Sequence, residues 1–461
     1  MLKLTRNVFS EYTLTTPDGD VSFKFIKELH MVQEKEGLKL SNKVTGGHVN
    51  YRNKKMNVRL AAQTLSSSVA DAIDFLRNIG HPNFCGSEAT TNFIRMIDRL
   101  FDNMNSRSPF AKHFKSPLSH HNKDVWQSFF IQCADYIKNI NIDGTPIMQH
   151  IRKTFAVGFL MNLTSLKNLF EVLTSLPENP LKYFLTFKCS QDNLEIFFSL
   201  VRARGRTQDN PSPLEFRYIL RKLLFRNSVQ PSVNANCVDD TFNTNHIIDF
   251  RKNTRSLIEN SKTDENDGVD FINDIVRHLE NPQQSPYQQN VLYYIAGFIV
   301  NKILQKNSCP YCQAVLTTNR HNEHDYCIDV NRYSAFTSFV NRGKLCFVSD
   351  AVYQVVVYSD QLFKHAVVKG QLQVTNIQAK LVMAALQKFQ PILQDIFVPK
   401  HPVTESIICF DLHETELVKY IVNKFLQIRI SSHLKNHTQN LLGVIRTKRQ
   451  KLHKTILFSH V

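Results

Sequence analysis

The segment from Phe184 to Arg206 holds the residues whose types and spacing best suit phosphate chemistry. Asp192 and Glu195 stand at i and i+3, which on a helix puts two carboxylates on one face. Arg202, Arg204 and Arg206 crowd just beyond them. A carboxylate pair beside a cationic cluster suits Mg²⁺ and phosphate oxygens, because Mg²⁺ takes hard oxygen ligands from one or two carboxylates. The same spacing also suits a plain surface helix, with Ser190 as N-cap, acidic residues favouring the positive end of the helix dipole, and solvated arginines. Spacing alone leaves both readings open. On the expected helix, Leu194, Phe197, Phe198 and Val201 form the buried face.

Two further clusters carry chemistry. Cys309-x2-Cys312 is followed by His321, His324 and Cys327. This mixture is a candidate tetrahedral Zn²⁺ site, although its spacing matches no familiar finger pattern, and reduced thiols are the other reading. From Leu417 to Val461 there are nine Lys or Arg and no Asp or Glu. Arg446, Lys448, Arg449 and Lys451 in this stretch can follow a DNA backbone through phosphate contacts, nonspecifically and with strong salt dependence. A solvated basic tail is the alternative. P-loop, nucleophile-elbow, zinc-protease and kinase motif sets do not occur.

Composition sets the frame for these groups. With 461 residues the chain is long enough for two or three domains. Hydrophobic residues make up 42% and charged residues 21%, so packed cores are expected over most of it. The formal charge of +16 favours an acidic partner, and nucleic acid is the usual one. No apolar run approaches the length of a bilayer span. Met1 to Arg6 shows no secretion leader, and nine cysteines, an odd number, fit a reducing compartment.

Hydrophobic periodicity places the elements. Phe23 to Gly37 reads as a helix with Gly37 as C-cap, Met56 to Leu76 as one helix, and Phe93 to Met104 as another. Ile147 to Leu176 reads as two helical pieces. Residues 226 to 289 shift to Asn, Asp, Ser, Gln and Thr, the composition of a polar linker, with a short helix expected over Phe271 to Leu279. Beyond it, Ala351 to Tyr358 is strand-like and Leu372 to Phe389 is amphipathic.

Three blocks carry a resemblance. Ser-Gln-Asp-Asn-Leu-Glu-Ile-Phe-Phe-Ser-Leu-Val-Arg-Ala-Arg-Gly at Ser190 to Gly205 resembles the late catalytic segment of P-element-type DNA transposases, the group that includes THAP-domain transposases. Lys55 to Ser66 resembles their insertion domain. Tyr294 to Val300, followed by Cys309 and Cys312, resembles their C-terminal domain. The order of the blocks is the family's order.

The resemblance implies an RNase H-like fold with three catalytic carboxylates, interrupted before the third by a helical GTP-binding domain. Glu195 matches that third carboxylate, which would share Mg²⁺ with two aspartates from earlier strands. The family's second aspartate precedes a segment like Met1 to Asn7, so the chain is expected to begin just after it, to lack the THAP domain, and to be inactive alone. Asp18 and Asp20 read as turn residues. Phe101-Asp102-Asn103-Met104-Asn105 matches the family's guanine motif: Asp102 accepts from the guanine N1–H and exocyclic amine, Phe101 stacks, and Asn105 offers an amide to the O6 or N7 edge. Lys54, Lys55 and Arg59 are the matching candidates for phosphate contacts, with the Ser66 to Ser68 hydroxyls further along. Asp192 is expected to approach the nucleotide.

The expected architecture is mainly α with some β: a helical GTP-binding insertion in an incomplete RNase H-like fold, plus a mostly helical C-terminal domain. Expected boundaries are a core remnant at 1–30, the insertion at 31–160, the closing core segment at 161–225, a linker at 226–289, and a C-terminal domain with basic tail at 290–461. Sheet strands that would come from the absent N-terminal part are expected to leave an exposed edge, and with it a sticky, marginal core around residues 180 to 225. GTP, Mg²⁺ and Zn²⁺ are the candidate cofactors, and DNA and a second copy of the chain the candidate partners. The expected setting is the nucleus, away from membranes. The alternative function is a domesticated remnant that binds GTP and DNA without catalysis.

Overall fold

The computed structural model describes residues 1–178, 180–204, 211–224, 284–305, 310–318, 332–370, 372, 376–389 and 415–434. The chain divides into two units, Met1–Val32 with Ser41–Glu259, and Gln33–Leu40 with Asn260–Val461.

The first unit is helical with small antiparallel sheets. Helix α1 (Leu2–Glu11) leads into the hairpin β1 (Leu14–Thr16) and β2 (Gly19–Val21), paired Thr16 to Gly19. Asp18 sits in the connecting turn and Gly19 has a φ of +123°, as the turn reading of this stretch expects. α2 (Lys24–Glu36) ends at Gly37, whose φ of +63° makes it the expected left-handed cap.

After α3 (Gly46–Val49), the single helix expected from Met56 to Leu76 is two, α4 (Val58–Thr64) and α5 (Ser67–Asn78). The break falls at Leu65 and Ser66, where Ser66 is extended at φ −103°, ψ 148° and its hydroxyl bonds to the Gln63 carbonyl. The apolar spacing ran through the break because Leu65 is buried on the same side as Ala61 and Val69. α6 (Glu88–Asn103) packs on α5, and Arg95 joins the two by pairing with Asp71 at 2.7 Å and with Asp74.

β3 (Leu118–Ser119) precedes α7 (Lys123–Lys138), and β4 (Asn141–Ile142) and β5 (Thr145–Pro146) follow it. The larger sheet has the order β2-β1-β4-β5. Ile147 to Leu176, expected as two pieces, holds one long helix, α8 (Thr154–Thr174), preceded by turns. β6 (Tyr183–Phe184) pairs with β3, Leu118 against Phe184. A 3₁₀ turn at Thr186–Cys189 then delivers the chain to α9 (Asp192–Arg204), and α10 (Pro213–Leu224) folds back on α9.

The buried face of α9 differs from the expected one. Ile196 and Val201 are buried, whereas Leu194 and Phe198 are 57% and 48% exposed. Leu214 and Tyr218 of α10 are also exposed, so this helix pair presents apolar side chains on its surface.

The second unit is helical: α11 (Pro286–Leu304), α12 (Pro310–Leu316), α13 (Ala335–Val340), α14 (Asp350–Val368), α15 (Ile377–Phe389) and α16 at 415–434. The expected strand at Ala351–Tyr358 is the first half of α14. Its Val-rich run looks like a strand, but Val352, Val355, Val356, Ser359, Leu362, Phe363 and Ala366 are buried at helical spacing, and the Ser349 hydroxyl accepts from the Val352 N–H. Gly297 stands where α11 crosses the chain closely: a Cβ there would lie 2.6 Å from the Cys346 carbonyl oxygen. The Gln33–Leu40 segment is held by the Tyr287 hydroxyl, which donates to the Leu38 carbonyl at 2.7 Å. The expected linker at 226–289 and the helix over Phe271 to Leu279 lie outside the described residues, apart from the start of α11. Among the described residues no helix is long and apolar enough to cross a membrane.

Candidate functional site

The end of α6 is the centre of the site. Phe101 and Asp102 occupy its last turn, and Asn105 follows it. Adjacent helix positions point about 100° apart, and the two side chains have different surroundings. Phe101 lines a cavity of about 330 Å³, a volume at the small end of ligand pockets. Val58 of α4, Met104, Thr186, Cys189 and Ser190 share its wall. Asp102 faces Lys115, with its carboxylate 3.6 Å from the ammonium. Burial holds the Asp102 pKa above the ordinary carboxylate value, the nearby Asp98 adds to the rise, and Lys115 opposes it. Asp98 itself accepts from the Ser67 backbone N–H at 2.9 Å and from the Ser67 hydroxyl, which ties the start of α5 to this part of α6.

The 3₁₀ turn before α9 is pinned against the end of α6. The Thr186 hydroxyl donates to the Asn103 carbonyl at 2.6 Å and accepts from the Ser106 N–H at 3.1 Å. The Phe187 N–H donates to the Ser106 carbonyl at 3.2 Å. Thr186 and Ser106 are buried, so these bonds have little competition from water. Arg107 completes the joint. Its Nε–H donates to Asn105 Oδ1 at 3.2 Å, its guanidinium carbon lies 4.0 Å from the centre of the Phe187 ring, and a terminal nitrogen lies 3.7 Å from Asp192 Oδ2. Asn105 and Asp192, expected to meet one nucleotide, thus share a single arginine. Sequence reasoning missed Arg107, because nothing local distinguishes it from a surface cation.

The basic residues are arranged differently. Lys54 and Arg59 are exposed, and the Lys55 ammonium pairs with Glu11 at 2.9 Å. Beneath them Arg6 is fully buried, its guanidinium 3.7 Å from the centre of the Tyr51 ring and donating to the Lys55 carbonyl at 2.8 Å. Burial lowers the Arg6 pKa from its ordinary value. Ser66 and Ser68 share a hydroxyl contact at 3.0 Å.

Residues 1–117 match the family described as TNP-like, GTP-binding insertion domain, and residues 187–219 match TNP-like, RNase H C-terminal domain. Residues 283–435 match DNA transposase THAP9, C-terminal domain. The human DNA transposase THAP9 is 25% identical over 465 residues, covering 96% of this chain and 49% of that protein. The Drosophila melanogaster transposable element P transposase is 24% identical over 389 residues, covering 84% and 48%. The chain belongs to the P-element-type DNA transposase family. It spans about half the length of these relatives. A solved structure, the Drosophila P element transposase strand transfer complex, is 27% identical with a TM-score of 0.43, covering 49% of this chain and 50% of that one.

In this P-element-type chain the contacts of Ser106 and Arg107 with Phe187 and Asp192 therefore run between the segment matching the GTP-binding insertion and the one matching the RNase H C-terminal domain. Glu195 stands one turn into α9 and is exposed. Ser190 fills part of a capping role, its hydroxyl accepting from the Asp192 N–H at 3.4 Å. Arg202 is exposed, and Arg204 ends α9. Among the described residues no group of three His, Cys, Asp or Glu comes together to hold a metal ion. Of the candidate Zn²⁺ ligands only Cys312 is described, buried in α12. Cys309, His321 and His324 lie outside the described residues, as do Arg446, Lys448, Arg449 and Lys451.

Proposed function

We propose that the first unit binds a guanine nucleotide and that the chain acts, with that nucleotide, in the DNA transposition reaction of its family. The observation that carries this reading is the 330 Å³ cavity, whose wall gathers Val58, Phe101 and Ser190, one residue from each of the insertion block, the guanine motif and the late catalytic block. Phe101 offers a ring for base stacking from that wall. Asp102 and Asn105 adjoin Phe101 in the chain without lining that cavity; they are assigned the guanine edges, Asp102 accepting from the N1–H and amine, which disfavours adenine, and Asn105 donating to the O6 or N7 edge. Lys54, Lys55 and Arg59 supply cations for the phosphates. Asp192, joined to Asn105 through Arg107, is assigned to the nucleotide side of α9.

Glu195 is assigned the family's third carboxylate. A divalent cation in such a centre activates water or a 3′-hydroxyl and stabilises the leaving oxygen. Glu195 would supply one of the three carboxylates that share the metal ions in the family's chemistry, so cleavage and strand transfer would also need the other two. The second reading is a nuclear GTP- and DNA-binding module without catalysis. Exposed Arg202 and the net charge of +16 support DNA as the partner of either form.

Titration with fluorescent GTP and ATP analogues tests the nucleotide site. The parent should prefer GTP, and Asp102→Ala should weaken GTP at least tenfold; equal affinity in the two proteins would sink the assignment. A Mg²⁺-dependent DNA cleavage assay separates the two readings. Cleavage by the purified chain that disappears in Glu195→Ala supports the enzyme, and salt-sensitive DNA binding without cleavage supports the module.

A further inference from the structure

We propose that Arg107 is a positioning residue that makes the start of α9, and with it Glu195, respond to the nucleotide. The proposal rests on the guanine-nucleotide reading of Asp102 and Asn105 and adds a route by which that site reaches the RNase H-like segment.

The main chain beside Arg107 is fixed, since both the N–H and the carbonyl of Ser106 are bonded to the Thr186–Phe187 segment. The guanidinium is held on one face by the Phe187 ring. Its Nε–H is committed to Asn105 Oδ1, leaving the terminal nitrogens directed at Asp192. That second contact is loose. At 3.7 Å it exceeds the ~2.7–2.9 Å of a charge-assisted hydrogen bond, so the pair attracts without a fixed geometry.

Asn105 has one amide to offer, and Arg107 occupies its oxygen. A base that takes the amide N–H₂ at its O6 or N7 edge fixes the amide plane, and with it the direction of the Nε–H bond. A planar guanidinium restrained along one edge aims its other edge more narrowly. The Asp192 contact then tightens from an ion pair toward a directed hydrogen bond. Asp192 is the first residue of α9 and Glu195 lies three positions on, so the turn that carries the carboxylate is ordered with it. A lysine at this position keeps the charge but cannot bond both partners in one plane.

Hydrogen–deuterium exchange of the full chain, read over residues 192–201 with and without GTP, tests the proposal beside a GTP titration of the same samples. In the parent, GTP should slow exchange in this segment by roughly 5–10-fold, the low end of usual coupling between sites. Arg107→Ala should bind GTP with less than a tenfold loss of affinity, because the residue touches Asn105 rather than the nucleotide, and lose that protection. Arg107→Lys should lose most of it, and carries the test should the alanine variant fail to fold. Protection that persists in the variants overturns the proposal, as does a tenfold or greater loss of GTP affinity, which would make Arg107 a nucleotide ligand. A parent that binds GTP with no change over 192–201 overturns the coupling alone. A parent that binds no GTP removes the underlying nucleotide reading as well.

Discussion

The Lys115 ammonium lies 3.6 Å from the Asp102 carboxylate and yet does not bring that carboxyl down to its ordinary pKa, because burial and the neighbouring Asp98 outweigh it. Accepting from guanine requires the ionised form. GTP affinity should therefore begin to fall, as pH drops, at a higher pH than an ordinary aspartate near ~3.9 would give. Removing the opposing cation in Lys115→Ala should move that midpoint higher still. Titrations of GTP binding between pH 4 and 7 check both, and a midpoint that Lys115→Ala leaves unmoved would contradict the coupling.

The same shift has a consequence for stability. A carboxyl whose pKa is raised on folding holds its proton more tightly in the folded chain, so its ionisation penalises the fold above that raised pKa. The penalty fades as pH falls through the raised value and is gone below the unfolded one. Asp102→Asn should melt slightly above the parent at pH 7 and at the parent's temperature near pH 3.5, even as it weakens GTP. Thermal melts at the two values read the difference, and a lower melting temperature at pH 7 would show that the carboxylate stabilises the fold.

Arg6 supports the surface that presents the candidate phosphate-binding residues. Arg6→Ala leaves a buried void and strands the Lys55 carbonyl. A loss of about 2–4 kcal/mol is expected, measured by urea unfolding. Lys55→Ala removes only a half-exposed ion pair with Glu11 and should cost about 0–1 kcal/mol.

In the second unit Asp360 is fully buried, with Arg429 at 2.8 Å and Lys364 at 2.9 Å. Arg429 also donates to the Gly37 carbonyl at 2.5 Å, so one cluster secures α14, α16 and the Gln33–Leu40 segment of the same unit. Asp360→Ala leaves the buried Arg429 without its counter-charge and should cost about 3–5 kcal/mol. Calorimetry should show that loss, whereas a change under about 1 kcal/mol would mean the cluster is solvated.

The two faces of α9 should respond oppositely. Ile196→Ala empties a buried position and should cost about 2–4 kcal/mol. Phe198→Ser removes an exposed ring and should stay within about 0.5 kcal/mol while reducing aggregation. Unfolding curves paired with light scattering test the contrast, and equal destabilisation would mean that Phe198 is covered in solution.

Much of the architecture was legible wherever the information is local. Gly37 marks the end of α2 because few other residues adopt its left-handed cap, and the Thr16 to Gly19 turn follows from its own residues. The order of three blocks sufficed to point to the family, since each block is a contiguous run. Where a pattern fits two periods, sequence failed. The Val-rich start of α14 reads as a strand until neighbouring helices bury every third and fourth residue. Leu65 hid the break between α4 and α5 by staying in the apolar series.

The site itself divides the same way. Phe101, Asp102, Asn105 and Asp192 are named from sequence because each lies in a short contiguous run that resembles a segment of the family. Arg107 and Arg6 are not. Arg107 acquires its role from Phe187 and Asp192, some 80 residues along the chain, and Arg6 from Tyr51 and Lys55 across a packed interface. Sequence marked the candidate groups for chemistry and, where a single hydrophobic period fits, the segments that become helices, through turn geometry and hydrophobic period. Tertiary structure alone decided which of those groups share a partner, because burial and pairing depend on which distant segments the packed core brings within a few ångströms.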